Sequence, residues 1–281
     1  MKSVSSVAVA ASGVALMSAM LAAFIRKDLG APSVELAAYS TSLGGRTINQ
    51  RHNAKLAAAV LDDALVKPNK IFSFNKRVGV WDKSRGYVKA PVSYEGLFAE
   101  AVGGGVCQVS TTLYNAVLLA GLPIVERHPH AVAPGYVAPG RDAAVAQYAL
   151  DLRFRNTLPG PVLIRAETTG SRIVVRLFGI VKPHWDVRIF TDVRHVAPAY
   201  GWSKQSRHMA LYAFRGRRNP GYGIPGYHVI TYREISSAGS SVREKLAEDR
   251  YKPVHYLAGP ATQLSDDGNL PKPTGFTRDG R

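Results

Sequence analysis

Between residues 103 and 123 the chain reads GGGVCQVSTTLYNAVLLAGLP, and no other stretch limits the fold as tightly. Three consecutive glycines open backbone angles that are closed to other residues. Directly after them, Val106, Val109, Leu113, Val117 and Ala120 recur at intervals of three and four, which predicts a helix with one buried stripe. Gly121 and Pro123 stop it. At about 100° per residue, Cys107, Thr111, Tyr114 and Leu118 fall roughly a quarter turn from that stripe. The fold must therefore provide a core helix entered through a glycine turn, with the chain's single cysteine in its first turn, off the centre of the core face.

The flanking segments supply the partners of that helix. Upstream, RHNAKLAAAVLDDAL places Leu56, Ala59, Val60 and Ala64 at helical spacing, an amphipathic pattern. KPNKIFSFN reads as a turn leading into a strand, and GYVKAPVSY as a second extended segment. Downstream, PIVERHPHA reads as a strand running into a loop, and GYVAPGRDAAV as a loop rich in Pro and Gly. DLRFRN alternates Leu152 and Phe154 with charged residues, as a half-buried strand does. PVLIRAETTGSRIVVRLFG is a pair of apolar runs around Thr-Gly-Ser, the pattern of a hairpin.

Together these predict an α+β fold with an antiparallel sheet packed with helices over residues 38–180. The preceding DLGAPSVELAAYSTSLGG reads as a short linker, and composition shifts at GIVKPHWDV into a small β-rich domain over residues 186–260. The last segment, 261–281, has few large apolar residues and is expected to be a disordered tail.

Val7 to Ile25 carries no charge and is flanked by Lys2, Arg26 and Lys27, so residues 1–30 are expected to be a signal anchor or signal peptide. Export to the cell envelope follows, with the membrane contacted through this segment. The net charge of +16 favours an anionic partner, either phospholipid headgroups or an acidic wall polymer. Nucleic acid is not expected as a partner, because no zinc-finger spacing, RNA-recognition signature or basic heptad array is present. One cysteine excludes an internal disulfide and a cysteine-rich metal site.

A thiol in the first turn of a helix sits among unpaired N–H groups and the positive end of the dipole, which favour the thiolate. Gly103, Gly104 and Gly105, with Val106, could turn N–H groups toward a developing oxyanion. A nucleophile needs a base, and His128 and His130 follow at the end of a predicted strand. Asp142 or Glu126 could orient the ring. His128 and His130 also have a spacing seen among metal ligands, but third and fourth ligands are not evident, so neither a metal nor another cofactor is expected. Two alternatives stand beside acyl transfer: a wall-binding scaffold with an inert cysteine, and a cysteine peptidase or L,D-carboxypeptidase that uses the same groups on wall peptides.

IFSFNKRVG, GYVKAPV, GGGVCQVSTTLYNAVLLAGLPIVERHPH, GRDAAV and DLRFRN, in that order, resemble the VanW family over roughly residues 38–180. The resemblance implies an exported or membrane-anchored envelope protein and, from some members, an L,D-transpeptidase that cross-links peptidoglycan stem peptides through the cysteine of the glycine-rich block. That cysteine is Cys107 here, and the family's histidine corresponds to His130; Ala131 follows where serine is common. Tyr114 and Arg141 are candidates for substrate contact. GYHVITYREISSAGSSVREKLAEDRYKPVHYLAG resembles the wall-associated module named for its five glycines and lacks part of that glycine pattern.

Overall fold

The structure is a computed structural model that describes residues 31–94, 97–197 and 224–254. The expected N-terminal hydrophobic segment, the basic run YAFRGRRNPGY and the tail lie outside the described residues. Among the described residues no helix is long and apolar enough to cross a membrane.

Strands β1 (Val34–Ser42), β2 (Ala64–Val66), β8 (Val162–Thr168) and β9 (Arg172–Gly179) form one antiparallel sheet in the order β1-β9-β8-β2. β8 and β9 are the expected hairpin, and their alternation is strict: Val162, Ile164, Ala166, Ile173, Val175 and Leu177 all face the core. β1 corrects the linker expected over these residues. It is an edge strand, only half buried, with a bulge between Glu35 and Ala37, so its sequence lacks the clean alternation that would have marked it. β3 (Ile71–Ser73), β6 (Ile124–Glu126) and β7 (Arg153–Arg155) make a small sheet in the order β3-β7-β6, and β4 (Lys89–Tyr94) pairs with β5 (Leu97–Val102). The strand expected in KPNKIFSFN ends at Ser73, whose hydroxyl accepts from Lys76 N and caps a short helix, α2 (Phe74–Val78).

The two longer helices, α1 (Ile48–Leu61) and α3 (Val106–Leu119), touch each other; α1 lies against β8 and α3 against β1 and β9. α1 begins at a capping box, with Thr47 Oγ1 accepting from Gln50 N and Gln50 Oε1 accepting from Thr47 N. Its buried face differs from the expected stripe. Ala59 and Val60 are exposed and Ala64 belongs to β2, whereas Gln50, Asn53, Ala54, Ala57, Ala58 and Leu61 are buried. The reason is chemical: two polar side chains on this face hold the glycine turn. Asn53 Nδ2 donates to Val88 O and Gly104 O, each at 2.9 Å, and Gln50 Nε2 donates to Pro91 O at 2.8 Å. A scale that scores them as polar puts the stripe on the wrong side.

α3 is enclosed almost all round. Leu113 and Leu118 have no exposure, and each contributes about 2 kcal/mol relative to an exposed side chain. It ends as expected at Gly121, which takes a positive φ.

A further three-stranded antiparallel sheet is formed by β10 (Asp186–Ala197), β11 (Gly226–Ser237) and β12 (Ser240–Tyr251). It is fastened to the preceding segments by hydrogen bonds. Arg233 Nη1 donates to Leu122 O at 2.7 Å, Thr231 Oγ1 to Gly140 O at 3.1 Å, and Lys252 N to Ala131 O at 2.7 Å.

Candidate functional site

The glycine turn sets where α3 starts. Gly103 and Gly105 have φ of +90° and +113°, in the region that favours glycine. A Cβ on Gly104 would stand 2.7 Å from both Ala90 O and Pro91 O, and one on Gly105 would stand 2.3 Å from Gln50 O. The turn is thus pressed onto β4 and α1, and Cys107 emerges in the first turn of α3, partly exposed.

One face of α3 is polar, and it grips the loop that carries the other groups. Ser110 Oγ donates to Ala143 O at 2.7 Å, Thr111 Oγ1 accepts from Ala143 N at 3.0 Å, and Asn115 Nδ2 donates to Arg141 O at 2.7 Å. The gripped segment pairs with the histidine segment through Ala144 N to His128 O at 2.8 Å. Residues 107, 130 and 142 are distant in sequence and meet because a helix face clamps the loop between them.

Asp142 is fully buried, and both carboxylate oxygens are occupied. Oδ2 accepts from His130 N at 2.7 Å and from the ring at Nδ1 at 2.6 Å. Oδ1 accepts from Arg127 Nη2 at 3.0 Å and from the Tyr251 hydroxyl. With Nδ1 committed to Asp142, Nε2 is the ring nitrogen left for the thiol. Cys107 Sγ lies 3.3 Å from Val145 O.

Burial alone would raise the Cys107 thiol; the adjoining His130 ring, helped by the Val145 contact, outweighs it and holds the thiol below its ordinary value. Burial alone would lower His130; Asp142 and the thiol together raise it to about 10. Asp142, against a burial that would raise it, is held at about 2 by His130, Arg127 and Tyr251. Both shifts of the sulfur and the ring favour a thiolate beside an imidazolium. A thiolate paired in this way attacks carbonyl carbon, and the ring can return its proton to a leaving group.

Arg127, Asp249 and Tyr251 complete the arrangement, and the sequence pattern had not singled them out. Arg127 Nη1 bonds both Asp249 oxygens at 2.6 Å while its Nε donates to Asp142 O at 2.6 Å. Tyr251 Oη also accepts from Gly140 N at 2.8 Å. Arg127 carried no distinct signal, since it stands among the polar residues Glu126 and His128. Asp249 and Tyr251 carried none, since they lie more than a hundred residues away, on β12.

The other residues singled out from sequence fall elsewhere. His128 bonds Glu126 Oε1 at 3.0 Å, and Glu126 also accepts from Asp151 N and Arg153, so this second histidine–carboxylate pair is separate from the thiol's. Tyr114, expected at the substrate, is enclosed in the core with its ring 5.5 Å from the Arg127 guanidinium, because its position on α3 turns it inward. Arg141 donates through Nε to Asn115 Oδ1 and lies 5.6 Å from the Tyr39 ring. Of the expected oxyanion donors, the Gly103 and Val106 amides are engaged with Val88 O and Gly103 O. The N–H groups of Gly104, Gly105 and Cys107 have no acceptor among the described residues. Among the described residues no group of three or more His, Cys, Asp or Glu could hold a metal ion.

Residues 49–178 match the family described as VanW like protein, and the chain is similar to that family over this segment. It is 43% identical over 144 residues to the uncharacterized protein YoaR of Bacillus subtilis (strain 168), covering 51% of this chain and 48% of that one. It is 30% identical over 169 residues to the vancomycin B-type resistance protein VanW of Enterococcus faecalis (strain ATCC 700802 / V583), covering 57% of this chain and 61% of that one. The chain thus spans about half to three-fifths of the length of these relatives. No solved structure matches it.

Proposed function

We propose that this chain is a cell-envelope cysteine acyltransferase acting on peptidoglycan stem peptides, of the L,D-transpeptidase type. The observation that carries it is the buried Asp142 carboxylate bonded to His130 Nδ1 at 2.6 Å, which leaves Nε2 of that ring for the adjoining, partly exposed Cys107. The wall substrate is supported by the name of the Enterococcus relative, and the envelope location by the charge-free run from Val7 to Ile25.

The Cys107 thiolate attacks the carbonyl that follows the L-centre of the donor stem. The resulting oxyanion is held by amides of the glycine turn and Cys107 itself. Collapse breaks the C–N bond, and His130 gives its proton to the departing D-amino acid, leaving a thioester on the sulfur. A side-chain amine of a second stem then attacks the thioester, passes a proton to His130, and regenerates the thiolate. Water in place of the amine would release the shortened stem, as a carboxypeptidase does.

The test is incubation of the purified chain with stem tetrapeptide dimers or digested wall, with product mass read alongside intact protein mass. New 3-3 cross-links and a transient mass gain on Cys107, both lost in Cys107→Ala, are expected. Cross-links unchanged by Cys107→Ala would sink the proposal. An unmodified protein that binds wall material equally well with or without its thiol would establish the scaffold instead.

A further inference from the structure

Among the described residues Arg46, Arg127, Arg141 and Arg233 are drawn toward the interior, and three of them have polar acceptors. Arg127 is neutralised by Asp142 and Asp249. Arg233 bonds Glu244 and Leu122 O. Arg141 donates to Asn115 Oδ1. Arg46 is different: its side chain has no hydrogen-bond acceptor and no carboxylate partner among the described residues, and its Nε is buried without one.

Its position adjoins the start of the helix that carries Cys107. Arg46 occupies the turn between β1 and the Thr47 cap of α1, the helix whose Gln50 carbonyl abuts Gly105. Its guanidinium carbon lies 4.9 Å from the centroid of the Tyr136 ring. The Tyr136 hydroxyl in turn lies 3.5 Å from Cys107 O and 3.4 Å from Thr111 Oγ1. The guanidinium and the backbone of Cys107 therefore contact the same tyrosine side chain.

A partly desolvated guanidinium with unmet donors is unfavourable unless something supplies an anion. The tyrosine face attracts the cation by about 1 kcal/mol and cannot take its N–H bonds. A planar fork of donors matches a carboxylate in two-point contact. Stem peptides are carboxylate-bearing, so the site proposed above presents an anion where this cation lacks one.

Resting on the acyl-transfer reading, we infer that Arg46 is a substrate-binding residue that takes a free carboxylate of the peptide beside Cys107, with Tyr136 as the platform that holds it. The fork faces the ligand while the ring covers its other side.

The test compares two alkylating reagents that differ in a carboxylate. Rates of Cys107 modification by iodoacetate and by iodoacetamide are measured by intact mass on the full chain, and their ratio is taken. In Arg46→Gln the iodoacetate-to-iodoacetamide ratio is expected to fall about fivefold. Arg188→Gln, which removes an equal charge at an exposed position on β10, should leave the ratio unchanged. Arg46→Lys should keep most of it, and Arg46→Met, of similar length, serves where the glutamine variant folds poorly. If Cys107 is alkylated and the ratio is the same in all variants, Arg46 has no such role while the catalytic thiol stands. If neither reagent modifies Cys107 in the native chain, the acyl-transfer reading fails and takes this inference with it.

Discussion

The two sides of the His130 ring are built on opposite terms. Toward Asp142 everything is closed: the carboxylate is fully buried, each oxygen receives two donors, and two of the contributing residues, Asp249 and Tyr251, come from another sheet. Toward Cys107 the structure is open: the thiol is partly exposed, and three nearby amides are without acceptors among the described residues. One side fixes the ring; the other leaves room for a substrate. Rigidity on the first side makes reactivity on the second possible, because a ring free to turn would lose its alignment with the sulfur.

Breaking the closed side should have the largest effect. Asp142→Asn leaves Arg127 with one carboxylate and removes the anion that raises His130; it is expected to lower unfolding free energy by about 3–5 kcal/mol, read by urea denaturation. Where the variant remains folded, its turnover profile should narrow. In the proposed reaction the thiolate is lost as pH falls below the lowered Cys107 value, and the imidazolium that would protonate a leaving group is lost as pH rises through about 10. Without Asp142 the alkaline limb should move down toward the ordinary histidine value; an unmoved limb would mean that Asp142 does not set the ring's charge.

Stability should follow the same groups. Asp142 is depressed from 3.8 to about 2, so its contribution is complete above the higher value and is lost as pH falls through the lower. His130 is raised from 6.5 to about 10, so its contribution is complete below the first and is lost as pH rises through the second. Thermal melts across both windows check the two signs.

Next in size comes the entry turn on the open side. Gly105→Ala places a Cβ against Gln50 O at a φ of +113°, and a cost of about 3 kcal/mol is expected, with slower thiol alkylation because the start of α3 must shift. Tyr251→Phe deletes one donor to Asp142 while Arg127 and His130 remain. A loss of about 1–2 kcal/mol in the unfolding free energy would show that the second sheet contributes to the closed side. His128→Asn touches only the half-exposed pair with Glu126 and should change stability by less than about 0.5 kcal/mol, with thiol reactivity unmoved.

Much of this arrangement was legible in the chain. The helix after the glycines, the β8–β9 hairpin and the strand at Phe154 each follow an apolar period that a local window captures. Cys107 and the pair His128 and His130 could be singled out from the glycine turn and their spacing, with Asp142 or Glu126 as the orienting carboxylate, and the family resemblance pointed to His130. The failures share a cause. β1 is a half-buried edge whose apolar side is blurred by a bulge, and the inward face of α1 is led by Gln50 and Asn53, whose partners are backbone groups of distant segments. Polar residues that hold backbone look like surface when read by hydropathy.

The sequence by itself determined a buried helix entered by a glycine turn, a sheet that follows it, and a thiol placed where a helix start can favour its ionised form. Tertiary structure alone decided that Asp142, and not Glu126, holds the His130 ring, that Arg127 and Tyr251 close the far side of Asp142, and that Arg46 lies against Tyr136 with its Nε unmet. Periodicity is local and survives in one dimension, whereas a hydrogen bond between residues 142 and 251 depends on how two sheets are docked.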